Sequence, residues 1–138
     1  MRENARVETN NPLVRDRLAA YLPVVYRELT FLPFLVSVRD AIHQGDILLS
    51  HPLSGSIKPG ETPYKSVLMA EGKAGALDLD SLHLIEEALA TSRKLMARHP
   101  RQVDLLSDAV RKDFQVVDLT LIASALESMG LSLGAIID

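Results

Sequence analysis

The chain has 138 residues, of which 47% are hydrophobic and 24% charged, and this composition predicts one folded domain over residues 1–138. It contains no cysteine, which excludes thiolate nucleophiles, zinc–thiolate sites and disulfides. The net charge is −3, so no overall positive field would attract nucleic acid or anionic lipid. No apolar run approaches the roughly 20 residues of a membrane-spanning helix, and the N-terminus is too polar for a signal peptide. These features predict a cytoplasmic protein.

The first half, residues 5–70, predicts strands that alternate with helices. The predicted strands are residues 5–9, 23–27, 46–50 and 66–70. Asn11 and Pro12 form a helix-start signal, because the Asn side chain can cap the first turn and Pro has no N–H to leave unpaired. A second helix is predicted to open at Pro33 and to end near Gly45. Residues 46–50 are apolar without alternation, which predicts a central strand covered on both faces.

The second half, residues 80–130, predicts three helices. Apolar residues recur there at helical spacing over residues 80–98, 103–114 and 116–129. Asp80 is the predicted cap of the first of these helices. Residues 131–137 form an apolar tail that we expect to dock on this domain or on a partner. A homo-oligomer formed through this tail is therefore one predicted assembly.

The order of these elements predicts an α/β fold. A short, mostly parallel sheet of about four strands with crossover helices would be followed by the three-helix half. The carboxyl ends of parallel strands share one edge of the sheet, where ligands commonly bind. We therefore expect the turn at residues 9–12 to face the loop that begins at His51.

Two polar segments carry a resemblance to a known family. The first is TNNPLV at residues 9–14, and the second, longer one is LSHPLSGSIKPGETPYKS at residues 49–66. Arg39-Asp40 and the segment IHQG at residues 42–45 add to it. The chain resembles the GrdX-like family, small proteins encoded near the glycine, sarcosine and betaine reductase systems of anaerobic bacteria. The resemblance is close over the first half and covers the second half only in general pattern.

This resemblance implies an accessory role in that amino-acid metabolism, with a reductase component as a partner. It supplies no catalytic residues. Whether the chain is an enzyme stays open at this point.

The same two segments predict an anion-binding site by their chemistry. Gly55 would let backbone N–H groups turn toward one point, the neighbouring hydroxyls can donate, and lysines supply positive charge. Asn11 adds the start of a helix, whose N–H groups favour a phosphate or carboxylate. The predicted ligand-binding residues are Thr9, Asn10, Asn11, His51, Ser54, Gly55, Ser56, Lys58 and Lys65. The competing interpretation is that these residues only build turns.

A hydrolase or transferase that uses the same crevice is the alternative function. Ser54 or Ser56 would be the nucleophile, His51 the base, and Glu61 or Asp46 the residue that orients the base. A third hypothesis is a pure protein-interaction module. We predict no cofactor, because neither G-x-G-x-x-G nor a Walker pattern occurs, and no metal, because four scattered histidines lack ligand spacing.

Overall fold

The structure, a computed structural model, describes residues 4–53, 59–98 and 105–131 and shows an α/β fold. Its strands and helices are β1 (Ala5–Thr9), α1 (Pro12–Leu18), β2 (Val24–Tyr26), α2 (Phe31–His43), β3 (Ile47–Leu48), β4 (Ser66–Ala70), α3 (Leu79–Arg98) and α4 (Asp108–Ser128). The bounds of β1 and β4 are those that the sequence predicts.

The four strands form one mixed sheet in the order β2-β1-β4-β3. β1 pairs with β2 in parallel, while β4 runs antiparallel to β1 and to β3. The prediction of a mostly parallel sheet is therefore wrong. A parallel partner for β3 would need a crossover helix, and the described part of the β3–β4 connection, residues 49–53 and 59–65, contains none. The chain instead turns at the end of β3 and returns as an antiparallel strand.

The prediction that the third strand is central is also wrong. β4 inserts between β1 and β3, so among the described strands β3 lies at an edge of the sheet and pairs only with β4. The apolar character of its sequence has another cause: Leu48 is buried in the cluster that α2 and α3 form with the sheet.

One directional expectation does hold. Because β4 is antiparallel to both β1 and β3, strands β1, β2 and β3 all point the same way. Their carboxyl ends and the start of β4 therefore meet at one edge, where Thr9 lies opposite both Tyr26 and Ser66.

The helices cover the two faces of the sheet in pairs. α1 and α4 pack on one face around a buried cluster: Ala5, Val7, Val14, Leu18, Leu22, Leu68, Leu119, Ile122, Ala123 and Leu126. α2 and α3 pack on the other face around a second cluster: Phe31, Phe34, Leu35, Val38, Ile42, Leu48, Val67, Met69, Ile85 and Leu89. Since neighbouring residues of a strand point to opposite faces, β1 sends Thr9 toward α4 and Glu8 toward α2 and α3.

The helical half departs from the prediction. Within residues 80–98 and 105–131 the structure has two helices, not three, because α4 continues without a break through Gln115. No Gly or Pro interrupts residues 108–128, and Ser107 Oγ caps the helix by accepting from Val110 N at 3.2 Å. At the start of α3, Asp78 rather than Asp80 accepts from Ser81 N, at 3.1 Å.

The C-terminal tail of the prediction lies mostly outside the described residues. Leu131 belongs to the described part and packs against the cluster formed by α1, α4 and the sheet. None of the helices in the described ranges is both long and apolar enough to cross a membrane.

Candidate functional site

The candidate site lies at the edge of the sheet where β1 ends and β4 begins. The backbone N–H of Asn10 donates to the carbonyl of Lys65 at 3.3 Å, and the N–H of Lys65 donates to Asn10 Oδ1 at 2.8 Å. Three of the predicted ligand-binding residues, Thr9, Asn10 and Asn11, thus come next to a fourth, Lys65. They are 54 or more positions apart in the sequence.

Asn10 joins three segments of the chain at this edge. Its Nδ2 donates to the carbonyl of Leu29 at 3.0 Å and to that of Pro63 at 2.9 Å, and its Oδ1 accepts from Lys65 N. The side chain is nearly fully buried. Because both the oxygen and the amide nitrogen of its side chain bond to the chain itself, Asn10 shapes the edge of the sheet rather than offering these groups to a ligand.

Asn11 caps α1, as the sequence predicts. Its Oδ1 accepts from Leu13 N at 3.0 Å. Its Nδ2 donates to the Gln115 carbonyl and to Asp118 Oδ2, both at 3.0 Å. The cap therefore also ties α1 to α4, and it directs an N–H toward a buried carboxylate.

A chain of hydroxyl groups leads to the same carboxylate. Thr9 Oγ1 and Ser66 Oγ are 2.6 Å apart, and Ser66 Oγ lies 2.7 Å from Asp118 Oδ2. If Asp118 is ionised it can only accept, so Ser66 gives it its one proton and Thr9 must donate to Ser66. Thr9 in turn accepts from the backbone N–H of Asn11 at 2.9 Å.

Asp118 is a buried acid in the middle of α4, with 5% of its surface exposed. Burial raises the pKa of its carboxyl group, because the charged form loses its hydration. The hydrogen bonds from Asn11 and Ser66 and the positive charge of Lys65 act in the opposite direction. Burial outweighs them, so the pKa of Asp118 is raised overall and ionisation of its carboxyl group costs free energy.

Lys65 is the matching buried cation, with 7% of its surface exposed. Burial lowers the pKa of its ammonium group, and attraction by the Asp118 carboxylate partly offsets that effect. The two groups thus partly compensate for each other's lost hydration.

Both residues line one cleft, which we call the Lys65 cleft; its enclosed space is about 20 Å³, and the rest of it is open to solvent. Its apolar lining consists of Phe31, Leu53, Pro59, Phe114, Val117 and Leu121. Its polar lining consists of Thr62, Tyr64, Lys65 and Asp118. An apolar cleft with a few convergent polar groups is the usual form of a small-molecule site.

His51, the remaining predicted ligand residue that the structure describes, is not part of this arrangement. Ser54, Gly55, Ser56 and Lys58 lie outside the described residues. His51 is exposed and lines a different depression, between Ser50 and α4. Its Nδ1 accepts from Leu53 N at 3.0 Å, so a neutral ring carries its proton on Nε2.

Of the residues in the alternative enzyme mechanism, the structure describes Asp46, His51 and Glu61. Asp46 precedes β3, whereas His51 follows it, and the Asp46 carboxylate is bound by Arg6 Nη2 at 2.6 Å, so Asp46 does not orient His51. Ser54 and Ser56 as nucleophiles stay a prediction. Across the ranges that the structure describes, no group of three or more His, Asp or Glu is placed to hold a metal ion.

Sequence reasoning missed Asp118 and Gln115, and it included Tyr64 and Ser66 only as part of the segment 49–66. Tyr64 lies at the cleft and its hydroxyl accepts from Gln115 Nε2 at 2.9 Å. A signal for Asp118 was present, since this acid stands directly before Leu119 on the apolar stripe that α4 buries. A charged residue at a buried position usually has a specific partner, and that rule points to it.

The chain was compared with known proteins in three ways. The family model described as GrdX-like protein matches residues 6–127. Neither a curated protein nor a solved structure matches the chain.

Proposed function

Because the chain belongs to the GrdX-like protein family, we propose that it is a cytoplasmic accessory protein of amino-acid reductase metabolism. In this role it binds a small carboxylate-bearing metabolite, or an acidic group of a reductase component. The Lys65 cleft is the binding site.

The observation that carries this proposal is the burial of Lys65 at the lining of the cleft. Lysine is almost never fully buried without a compensating charge, because its ammonium group loses hydration. Asp118 supplies part of that compensation. A carboxylate in the cleft would supply more, and Thr62 and Tyr64, whose side chains carry hydroxyl groups, belong to the same lining.

Two sets of the predicted ligand residues take different roles in this proposal. Thr9, Asn10 and Asn11 hold the edge of the sheet and Asp118 in position. The loop residues Ser54, Gly55, Ser56 and Lys58 are proposed as further ligand contacts. They join Leu53 to Pro59 in the sequence, and both of these residues line the cleft.

The test is ligand-induced thermal stabilisation of the full chain. The probes are glycine, β-alanine, γ-aminobutyrate, butyrate and inorganic phosphate. A ligand at about a hundred times its Kd stabilises the folded state by about 2.7 kcal/mol, which raises the Tm by several degrees. We expect at least one carboxylate probe to raise the Tm of the wild type, and we expect no probe to raise the Tm of Lys65→Met.

Lys73→Met is the matched control, because Lys73 is exposed and does not line the cleft. It should keep the full shift in Tm. The proposal fails if no probe stabilises the wild type, or if Lys65→Met responds as strongly as Lys73→Met.

A further inference from the structure

The Lys65 cleft is lined by a buried acidic residue and a buried basic residue. Lys65 and Asp118 are 7% and 5% exposed, and the two attract each other electrostatically. Most sites that bind simple anions present only positive charge and N–H donors. The presence of an acidic side chain at the same cleft therefore restricts the chemical class of ligand that could bind there.

The geometry around Asp118 leaves one of its oxygens for a donor. The two side-chain hydrogen bonds that it accepts from described residues, from Asn11 Nδ2 and Ser66 Oγ, both end on Oδ2, and the backbone N–H of Ser66 also favours the charged form of the carboxyl group. No side chain in the described part of the chain donates to Oδ1. A carboxylate oxygen can accept two hydrogen bonds, and a protonated amine is the donor that also matches its charge.

From this geometry we propose that the cleft binds a small zwitterion, a molecule with a carboxylate for Lys65 and a protonated amine for Asp118. This inference rests on the proposed function and names its ligand class. Amino acids and short ω-amino acids belong to that class. Their methylene groups would contact the apolar lining, which includes Phe114, Val117 and Leu121.

Charge balance gives the physical reason for the selectivity. A simple carboxylate would meet the attraction of Lys65 and the repulsion of Asp118, and a simple amine would meet the reverse. Like charges brought together in a partly desolvated site are strongly unfavourable. A zwitterion brings no net charge to the cleft, and each of its ends meets an opposite charge.

The first experiment is calorimetric titration of the wild-type chain with matched probes. γ-Aminobutyrate, β-alanine and glycine vary the separation of the two charges, while butyrate and butylamine carry one charge each. We expect one of the zwitterions to bind at least about tenfold more tightly than both single-charge probes.

The second experiment uses Asp118→Asn. With the amide oxygen in place of Oδ2, the new residue still accepts from Ser66 and Asn11, and its NH₂ group takes the place of Oδ1. A donor then replaces the acceptor at the cleft. We expect zwitterion affinity to fall at least about tenfold and butyrate affinity to rise. Asp113→Asn, at an exposed position of the same helix, is the control and should change neither.

The outcomes separate this inference from the proposal on which it rests. Butyrate that binds as tightly as the best zwitterion, with Lys65→Met abolishing the binding, overturns the zwitterion assignment and leaves the proposed function intact. The same holds if Asp118→Asn keeps the wild-type preference. If no probe binds the wild type, both fall together. The titration of the wild type does not depend on the folding of any variant.

Discussion

Two acidic side chains are buried against the sheet, Glu8 on β1 and Asp118 on α4, and their surroundings differ. Glu8 is 1% exposed, and each of its oxygens lies against a guanidinium group: Arg6 Nε donates at 2.8 Å and Arg27 Nε at 3.0 Å. Asp118 is 5% exposed, and its direct hydrogen-bond donors are the neutral groups of Asn11 and Ser66. Burial of a charge is tolerated when direct contacts of opposite charge replace its hydration.

This difference separates a carboxylate whose charge is matched by guanidinium groups from an acid that has only neutral hydrogen-bond donors. The negative charge of Glu8 is already matched within the protein, and Arg6 continues the network to Asp46 at 2.6 Å. Asp118 has hydrogen bonds but no guanidinium partner among its described contacts, and it lines a cleft. We infer that the Glu8 network stabilises the fold, whereas the burial of Asp118 and Lys65 lowers its stability.

The largest expected effect comes from a comparison of two single variants, Glu8→Gln and Asp118→Asn, in which one acid is replaced by its amide. In Glu8→Gln the new NH₂ group would face one of the two guanidinium groups, so a charge-assisted bond is lost and a donor meets a donor. We expect a loss of about 2–3 kcal/mol in the free energy of unfolding, measured by urea denaturation. Asp118→Asn should change it by less than about 1 kcal/mol at neutral pH. Equal losses in the two variants would remove the distinction between the two sites.

Two buried serines test whether the hydroxyl chain next to Asp118 stabilises the fold. Ser66 donates to Asp118 and interacts with Thr9, whereas Ser92 Oγ in α3 has no partner among the described residues. Ser66→Ala should cost about 1–2 kcal/mol, because a buried carboxylate loses a donor. Ser92→Ala should leave the free energy of unfolding unchanged or raise it slightly, since an unpaired buried hydroxyl disappears. A loss in Ser92→Ala as large as that in Ser66→Ala would show that the loss reflects packing alone.

The parts of the fold that follow local rules could be predicted from the sequence. The bounds of β1 and β4 and the capping of α1 by Asn11 depend on neighbours within a few positions, and they are confirmed. The insertion of β4 between β1 and β3 depends on where a long connection returns to the sheet. Local periodicity carries no information about that return.

The candidate site was only partly predictable for the same reason. The polar corner at Asn10 and Asn11 was found, but its side chains bond to residues as distant as Asp118, 107 positions away. Pattern alone cannot distinguish an Asn that binds a ligand from one that ties two elements together. Only the pairing across the fold shows that Asn11 holds the carboxylate.

The smallest expected effect is a pH dependence that distinguishes wild type from Asp118→Asn. Burial raises the pKa of Asp118 above its ordinary 3.8, so from about that pH upward the folded state holds a proton that the unfolded state has released. Wild-type stability should therefore fall relative to Asp118→Asn as the pH rises from 3.8 through the folded-state pKa, and then remain constant. The pKa of Lys65 is lowered by burial, so the unfolded state holds a proton that the folded state releases at alkaline pH. The free energy of unfolding should therefore rise as the pH increases toward 10.5.

Urea unfolding at a series of pH values measures this difference, with Asp113→Asn as the control at an exposed position of α4. If the free energy of unfolding of the wild type rises relative to that of Asp118→Asn as the pH increases over the acid range, the folded-state pKa of Asp118 is depressed rather than raised. Its carboxylate would then be as fully compensated within the protein as that of Glu8. Such compensation would leave a ligand amine little to gain at Oδ1, because the free-energy cost of burying Asp118 would already be met.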